Sequence, residues 1–251
     1  MINDENYFRE LAAKKKLSYN FVIKEHALME VLPKLYNLNE KIILKGGTAL
    51  NQIYLGDFQR FYEDLDFDIF KNVTVDKLKK QLIELGINIK KTIYRPGRIS
   101  FESSYVVGNT KDSIRIEFNI EKNKSLETKA VSKTASSNIA SYTVANIKTY
   151  PLETLIVQKL IALANRNEGK DYYDLFYAMK LVNNTDLEKE LDLWKKTGVI
   201  TKDFLFIAIT KIDKIDMKIL QKTNPFIPSD KRIDWKIIKE DLKRMIKLIT
   251  N

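Results

Sequence analysis

The chain has no cysteine and a single histidine, His26. Without thiols it forms neither a disulfide nor a thiolate-bound metal site, and one imidazole cannot build a histidine-rich zinc centre. Any metal must be held by oxygen. Long apolar runs are also missing: none approaches the ~18–20 residues that cross a bilayer, and the opening MINDENYFRELAAKKK lacks the apolar core of a signal peptide. The expectation is a cytoplasmic chain with no membrane partner. Glycine and proline are scarce, eight and five in 251 residues, so the pair Gly46-Gly47 stands out.

Charge is abundant. Forty-three Lys and Arg against thirty-three Asp and Glu give a net +10, enough to attract a polyanion or an acidic protein, although a lysine-rich genome gives the same number. A hydrophobic content of 44% supports a sizeable core, and the length fits one large domain or two smaller ones.

Over residues 5–37, Phe8, Leu11, Leu28, Val31, Leu32 and Leu35 recur near the 3.6 period, which predicts helices with a break at Pro33. The period then shortens. KIILK reads as a strand, TALNQIY as a helix opening and EDLDFDIF as an alternating strand. TVDKLKKQLIEL reads as a helix with Gly86 as its C-cap. Three strand-like runs follow, INIKKTIYR, RISFESSYVV and SIRIEFNI, with turn chemistry at Arg95-Pro96-Gly97 and Gly108-Asn109-Thr110. Residues 121–141 are rich in Lys and Ser and read as a mobile loop or linker. From Pro151 onward the pattern is helical, interrupted by proline in NPFIPSDKR. The expected fold class is α+β: a mixed β-sheet flanked by helices over residues 1–145, with a helical C-terminal region over 146–251.

Chemistry concentrates in KIILKGGTALNQIYLGDFQRFYEDLDFDIF, residues 41–70. Strand alternation points Asp64, Asp66 and Asp68 to one face and Leu65, Phe67 and Ile69 into the core. Converging carboxylates repel, which favours a divalent cation, and oxygen ligands with open positions suit Mg²⁺ and phosphate. Between a strand and a helix, the bare amides of Gly46 and Gly47 can hold phosphate groups, with Thr48 adding a hydroxyl. Each half also has a plain structural reading, a tight turn and a solvated edge strand.

In this order, KGGTALNQIY followed by RFYEDLDFDIF resembles the signature of the AbiEii-type nucleotidyltransferases, members of the polymerase-beta-like superfamily. ETLIVQKLIALANRNEGKDYYDLFYAM, residues 153–179, is similar to the family's later motifs. The resemblance implies that Gly46, Gly47 and Thr48 cradle nucleotide phosphates and that Asp64 and Asp66 bind Mg²⁺ or Mn²⁺. It also implies a third carboxylate on a neighbouring strand. Glu117 is the candidate, as metal ligand or general base, because Ile114, Ile116, Phe118 and Ile120 take the other face of its strand. Lys159 would bind the triphosphate, with Arg166 a second cation and Asp171 a further catalytic residue; Asp68 and Asp174 stay open. On a helix over residues 152–165, Lys159 and Arg166 lie seven apart beside an apolar side of Leu152, Ile156, Leu160 and Leu163. The structural alternatives are a solvated helix-end charge for Arg166 and an N-cap role for Asp171, with Gly169 ending the preceding helix.

The implied reaction moves an NMP from an NTP to an acceptor, with RNA, for instance the tRNA 3′ end, as one acceptor class. The chain would be the toxin of a type IV toxin–antitoxin or abortive-infection system, with a cognate antitoxin as partner. Two rivals remain: a nucleotidyltransferase acting on a small molecule such as an antibiotic or metabolite, and a non-catalytic nucleic-acid- or partner-binding protein with the same fold.

Overall fold

The structure, a computed structural model, describes residues 4–249. It divides into two compact units, Met1–Tyr150 and Pro151–Asn251. The first holds strands β1 (Ile42–Lys45), β2 (Asp64–Ile69), β3 (Ile89–Arg95), β4 (Arg98–Val107), β5 (Thr110–Ile120), β6 (Val131–Ser137) and β7 (Tyr142–Thr149). Its helices are α1 (Glu5–Lys15), α2 (Tyr19–Leu35), α3 (Gly46–Ala49), α4 (Val75–Glu84) and α5 (Lys124–Thr128). The strands form one mixed sheet in the order β3-β4-β5-β2-β1-β7-β6.

Alternation decides what each face carries. Leu65, Phe67 and Ile69 are buried, as are Ile116 and Phe118 of β5. Parallel pairing of β2 with β5 sets Phe67 beside Phe118, ring centroids 5.6 Å apart, and Phe101 of β4 meets Phe118 edge-on at 6.1 Å. Helix α2 packs against β2 and β5, and α4 packs against β3 with Leu78 and Leu82 fully buried. The aromatic stack therefore fixes the register that carries Asp64 and Asp66 on the opposite face.

Local chemistry sets the ends of these elements. The Asp4 carboxylate caps α1, accepting from the Asn6 and Tyr7 amides at 2.9 and 3.2 Å. Past α4 the chain turns through Gly86 at φ +72°, and Gly97 at φ +78° closes the β3–β4 hairpin.

Two local expectations are corrected. Pro33 does not break α2, which runs two residues further to Leu35; near a helix end the missing N–H costs little regular structure. Residues 121–141 are not a loop: they contain α5 and β6, and β7 follows. Strand β6 is the sheet edge, paired only with β7, and of its residues only Ala135 and Ser137 are buried. A strand with so little to bury reads as polar linker in sequence.

The second unit is helical: α6 (Leu152–Asn165), α7 (Gly169–Leu181), α8 (Asn184–Lys196), α9 (Phe204–Lys214), α10 (Met217–Gln221) and α11 (Trp235–Leu248). Helix α6 packs on α7, α8 and α9 through the buried Ile156, Leu160 and Leu163. The proline-containing segment forms two short 3-10 turns before α11. Among the described residues no helix is long and apolar enough to cross a membrane.

Phe118→Ala should lower unfolding stability by about 3–5 kcal/mol, the usual effect of emptying a packed aromatic site. Urea denaturation of the two proteins checks this, and a change below about 1 kcal/mol would show that the stack does not anchor β2 to β5.

Candidate active site

Strand β1 ends at Lys45, and Gly46 adopts φ +69° to turn the chain into α3, which continues as a π-helical turn over Leu50–Tyr54. A Cβ on Gly46 would lie 2.8 Å from the Asp66 carboxylate oxygen Oδ2. Gly46 is thus required both by backbone conformation and by the closeness of Asp66. Gly47 has a different reason: a Cβ there would overlap the Tyr62 ring. Thr48 donates its hydroxyl to the Asp64 backbone carbonyl at 2.5 Å, tying the helix start to β2. Its proton is therefore used, and towards a phosphate Thr48 retains its first-turn backbone amide.

On β2, Asp64 and Asp66 are half-buried. Register places Asp66 between Lys45 of β1 and Glu117 of β5, and Asp64 beside Arg115. Paired positions in neighbouring strands share a face, so Asp64, Asp66 and Glu117 stand on one surface. Glu117 accepts from Ser100 Oγ at 3.2 Å and faces the guanidinium groups of Arg98 at 3.4 Å and Arg115 at 3.9 Å.

Asp68 shares that face but not that setting. It is fully buried, ion-paired to Lys45 Nζ at 2.5 Å and bonded by the Tyr150 hydroxyl at 2.8 Å. Burial pushes its carboxyl up and Lys45 pulls it back. Asp68 is a structural anchor that joins β2, β1 and the end of β7. It also occupies Lys45, the cation nearest the glycine pair.

Among the described residues no three Asp, Glu or His side chains gather closely enough to hold an ion alone. The residues nevertheless fit Mg²⁺. That ion keeps several waters and is commonly bound by one or two carboxylates plus substrate phosphates. Asp64 and Asp66 supply the carboxylate pair, and the absence of a side chain at Gly46 lets the turn approach Asp66 closely.

Behind the glycine pair lies a buried polar network. The Asn51 amide donates to the Gly47 carbonyl at 3.3 Å and to the Tyr62 hydroxyl at 2.9 Å. Arg60, buried, donates to the same hydroxyl at 2.6 Å and lies 3.9 Å over the Tyr62 ring. Glu25 accepts from Gln52, from Ser137 at 3.0 Å and from the Tyr62 amide at 3.3 Å. Burial pushes Glu25 up to about 7 against those bonds and the Arg60 charge. Sequence reasoning missed this set. A buried Arg within RFYE has no periodic signature, and the network it joins draws Glu25 from α2 and Ser137 from β6.

In the second unit, Lys159 Nζ lies 2.8 Å from Asp171 and 2.9 Å from Asp174, all three buried. Arg166 meets Asp171 through Nε at 2.8 Å and Nη2 at 3.0 Å, with its side chain half exposed. Asp171 is not an N-cap: Glu168 holds that position, and Gly169 opens α7 rather than ending α6. Burial alone would raise Asp171, but Lys159 and Arg166 outweigh it and hold the carboxyl at about 2. Arg166 is not on the helix with Lys159 but follows α6 in extended conformation, and the two cations meet through Asp171, which with Asp174 comes from α7.

Gly47→Ala should destabilise the chain by about 1–3 kcal/mol, because the Tyr62 ring has to move. A melting temperature unchanged in Gly47→Ala would show that the ring yields without cost. The Asp171 contribution is fully present above its unfolded value near 3.8 and is lost as pH falls through about 2. Roughly 2 kcal/mol should disappear across that window. Urea titrations from pH 5 to 2 should show a shallower decline in Asp171→Asn, which starts less stable; parallel curves would contradict the assignment.

JHP933 from Helicobacter pylori is similar in structure, with a TM-score of 0.63 at 21% identity over 93% of each chain. MenT4, a nucleotidyltransferase toxin from Mycobacterium tuberculosis H37Rv, has a TM-score of 0.59 at 14% identity, covering 98% of this chain and 99% of its own. At such identities the likeness is one of fold. No curated protein matches in sequence. The family described as "Nucleotidyl transferase AbiEii toxin, Type IV TA system" matches residues 31–248, spanning both the glycine-pair block and the Lys159 block. The chain therefore belongs to the AbiEii nucleotidyltransferase toxin family and is a nucleotidyltransferase.

Proposed function

We propose that the protein transfers an NMP from an NTP to an RNA acceptor, using Asp64 and Asp66 as ligands for Mg²⁺ or Mn²⁺. The observation that carries this reading is the closeness of Gly46 to Asp66, which sets the backbone of the glycine turn directly against one of the two carboxylates. Bound there, the metal would neutralise phosphate charge and polarise the phosphorus centre.

The rest of the chemistry falls to the chain. Gly46, Gly47 and Thr48 present backbone amides to the triphosphate. Glu117, oriented by Ser100, Arg98 and Arg115, takes the proton of the acceptor hydroxyl as its oxygen attacks the α-phosphorus. The bond to pyrophosphate breaks as the new phosphodiester bond forms, so charge moves onto the leaving group. In the second unit, Lys159, itself paired to Asp174, holds Asp171 and through it the half-exposed Arg166 fork. A toxin activity of this kind also fits a cognate antitoxin, as the family description implies.

The test is to incubate the protein with each labelled NTP, Mg²⁺ and total RNA and follow the label. Label should enter RNA with wild type, and Asp64→Asn or Asp66→Asn should reduce transfer by roughly 1,000-fold or more. Unchanged melting temperatures would show that both variants fold. Full activity in both would remove the metal assignment, and label confined to small molecules would favour the antibiotic or metabolite acceptor.

A further inference from the structure

A cavity of about 200 Å³ opens beside Asp64, lined also by Lys24, Glu63, Glu102, Ser113 and Arg115, with Ile114 as its apolar wall. We propose that this cavity receives the terminal ribose of the acceptor and reads its hydroxyl groups, a reading that rests on the transfer to RNA proposed above.

Size and lining select a sugar. The volume lies below the ~300–1,000 Å³ of pockets for drug-sized ligands, so it holds one ring and not a whole nucleotide. No aromatic side chain lines the cavity, whereas single-stranded bases are held by stacking on aromatic faces. Sugar hydroxyls instead need acceptors and donors close together, which Glu63, Glu102 and Ser113 supply. Glu102 faces Lys91 across β3 and Arg115 across β5 in register. Among the described residues, no hydrogen bond or ion pair engages its carboxylate. An acceptor group held against the cavity without a protein partner is suited to a ligand hydroxyl.

Strand order selects the acceptor's sugar over that of the incoming nucleotide. Gly46 lies on the β1 side of Asp66, while the cavity is built from β4, β5 and the start of β2. Attacking and leaving oxygens lie in line on opposite sides of the transferred phosphorus. With the triphosphate on the glycine side, the attacking hydroxyl comes from the β5 side. Lys24, 3.7 Å from Asp112, and Arg115, 3.9 Å from Glu117, then face the phosphate preceding that ribose.

The experiment compares transfer to tRNA ending in a ribose with transfer to the same tRNA ending in a 2′-deoxyribose, for wild type and Glu102→Ala. Wild type should favour the ribose end by roughly 10- to 100-fold in kcat/KM, and Glu102→Ala should bring the two ends close to parity. NTP affinity by calorimetry should be the same in both proteins, which also confirms that the variant folds. Equal use of the two ends by wild type, or an undiminished preference in Glu102→Ala, overturns the proposal while leaving nucleotidyl transfer intact. A preference that instead follows NTP against 2′-deoxy-NTP, and vanishes in Glu102→Ala, overturns it by placing the incoming sugar in the cavity. Absence of label from every RNA removes the RNA acceptor itself, and this proposal with it.

Discussion

The site depends on the parallel pairing of β2 with β5. That ladder sets Asp66 beside Glu117 on one face and Phe67 beside Phe118 on the other. Because side chains alternate, a slip of one residue would bury the carboxylates and expose the phenyl rings. The apolar face excludes that slip, so the hydrophobic effect fixes the geometry of a charged site it never touches. The antiparallel pairing of β1 with β2 completes the arrangement by bringing the Gly46 turn against Asp66.

The buried and half-buried carboxylates fall into two kinds. Asp68 and Asp171 are each held by two donors and serve as fixed joints: the Lys45 ammonium and the Tyr150 hydroxyl hold the first, and the Lys159 and Arg166 cations hold the second in its own unit. A buried carboxylate of this sort is costly to leave unpaired, which is why each has two partners. Asp64, Asp66 and Glu117 are only half-buried. Part of their surface stays open to solvent. Three aspartates at alternate positions of one strand thus divide into a half-buried pair and a buried, ion-paired third.

Support for the glycine turn comes from behind. Tyr62 fills the space that a side chain at residue 47 would need, and Asn51, Arg60 and Glu25 hold Tyr62 in place. A turn built on two glycines has no side chains of its own to hold it, so its position is set by the network beneath it.

Local pattern was enough to determine the element types in residues 41–120, the inward set Leu65, Phe67 and Ile69, and the two blocks that carry the family resemblance. These features follow from periods of 2 and 3.6 and from glycine, which act over a few residues. Only the tertiary structure decided that Asp68 is a joint, that Asp171 lies inside α7, and that Gly47 answers to Tyr62. It also decided that residues 131–137 form an edge strand. Each depends on a partner brought close from a distant stretch of chain: Tyr150 lies 82 residues from Asp68, and Ser137 lies 112 residues from Glu25. Spacing along the sequence carries no record of such meetings, because they arise from strand order and burial rather than from local conformational preference.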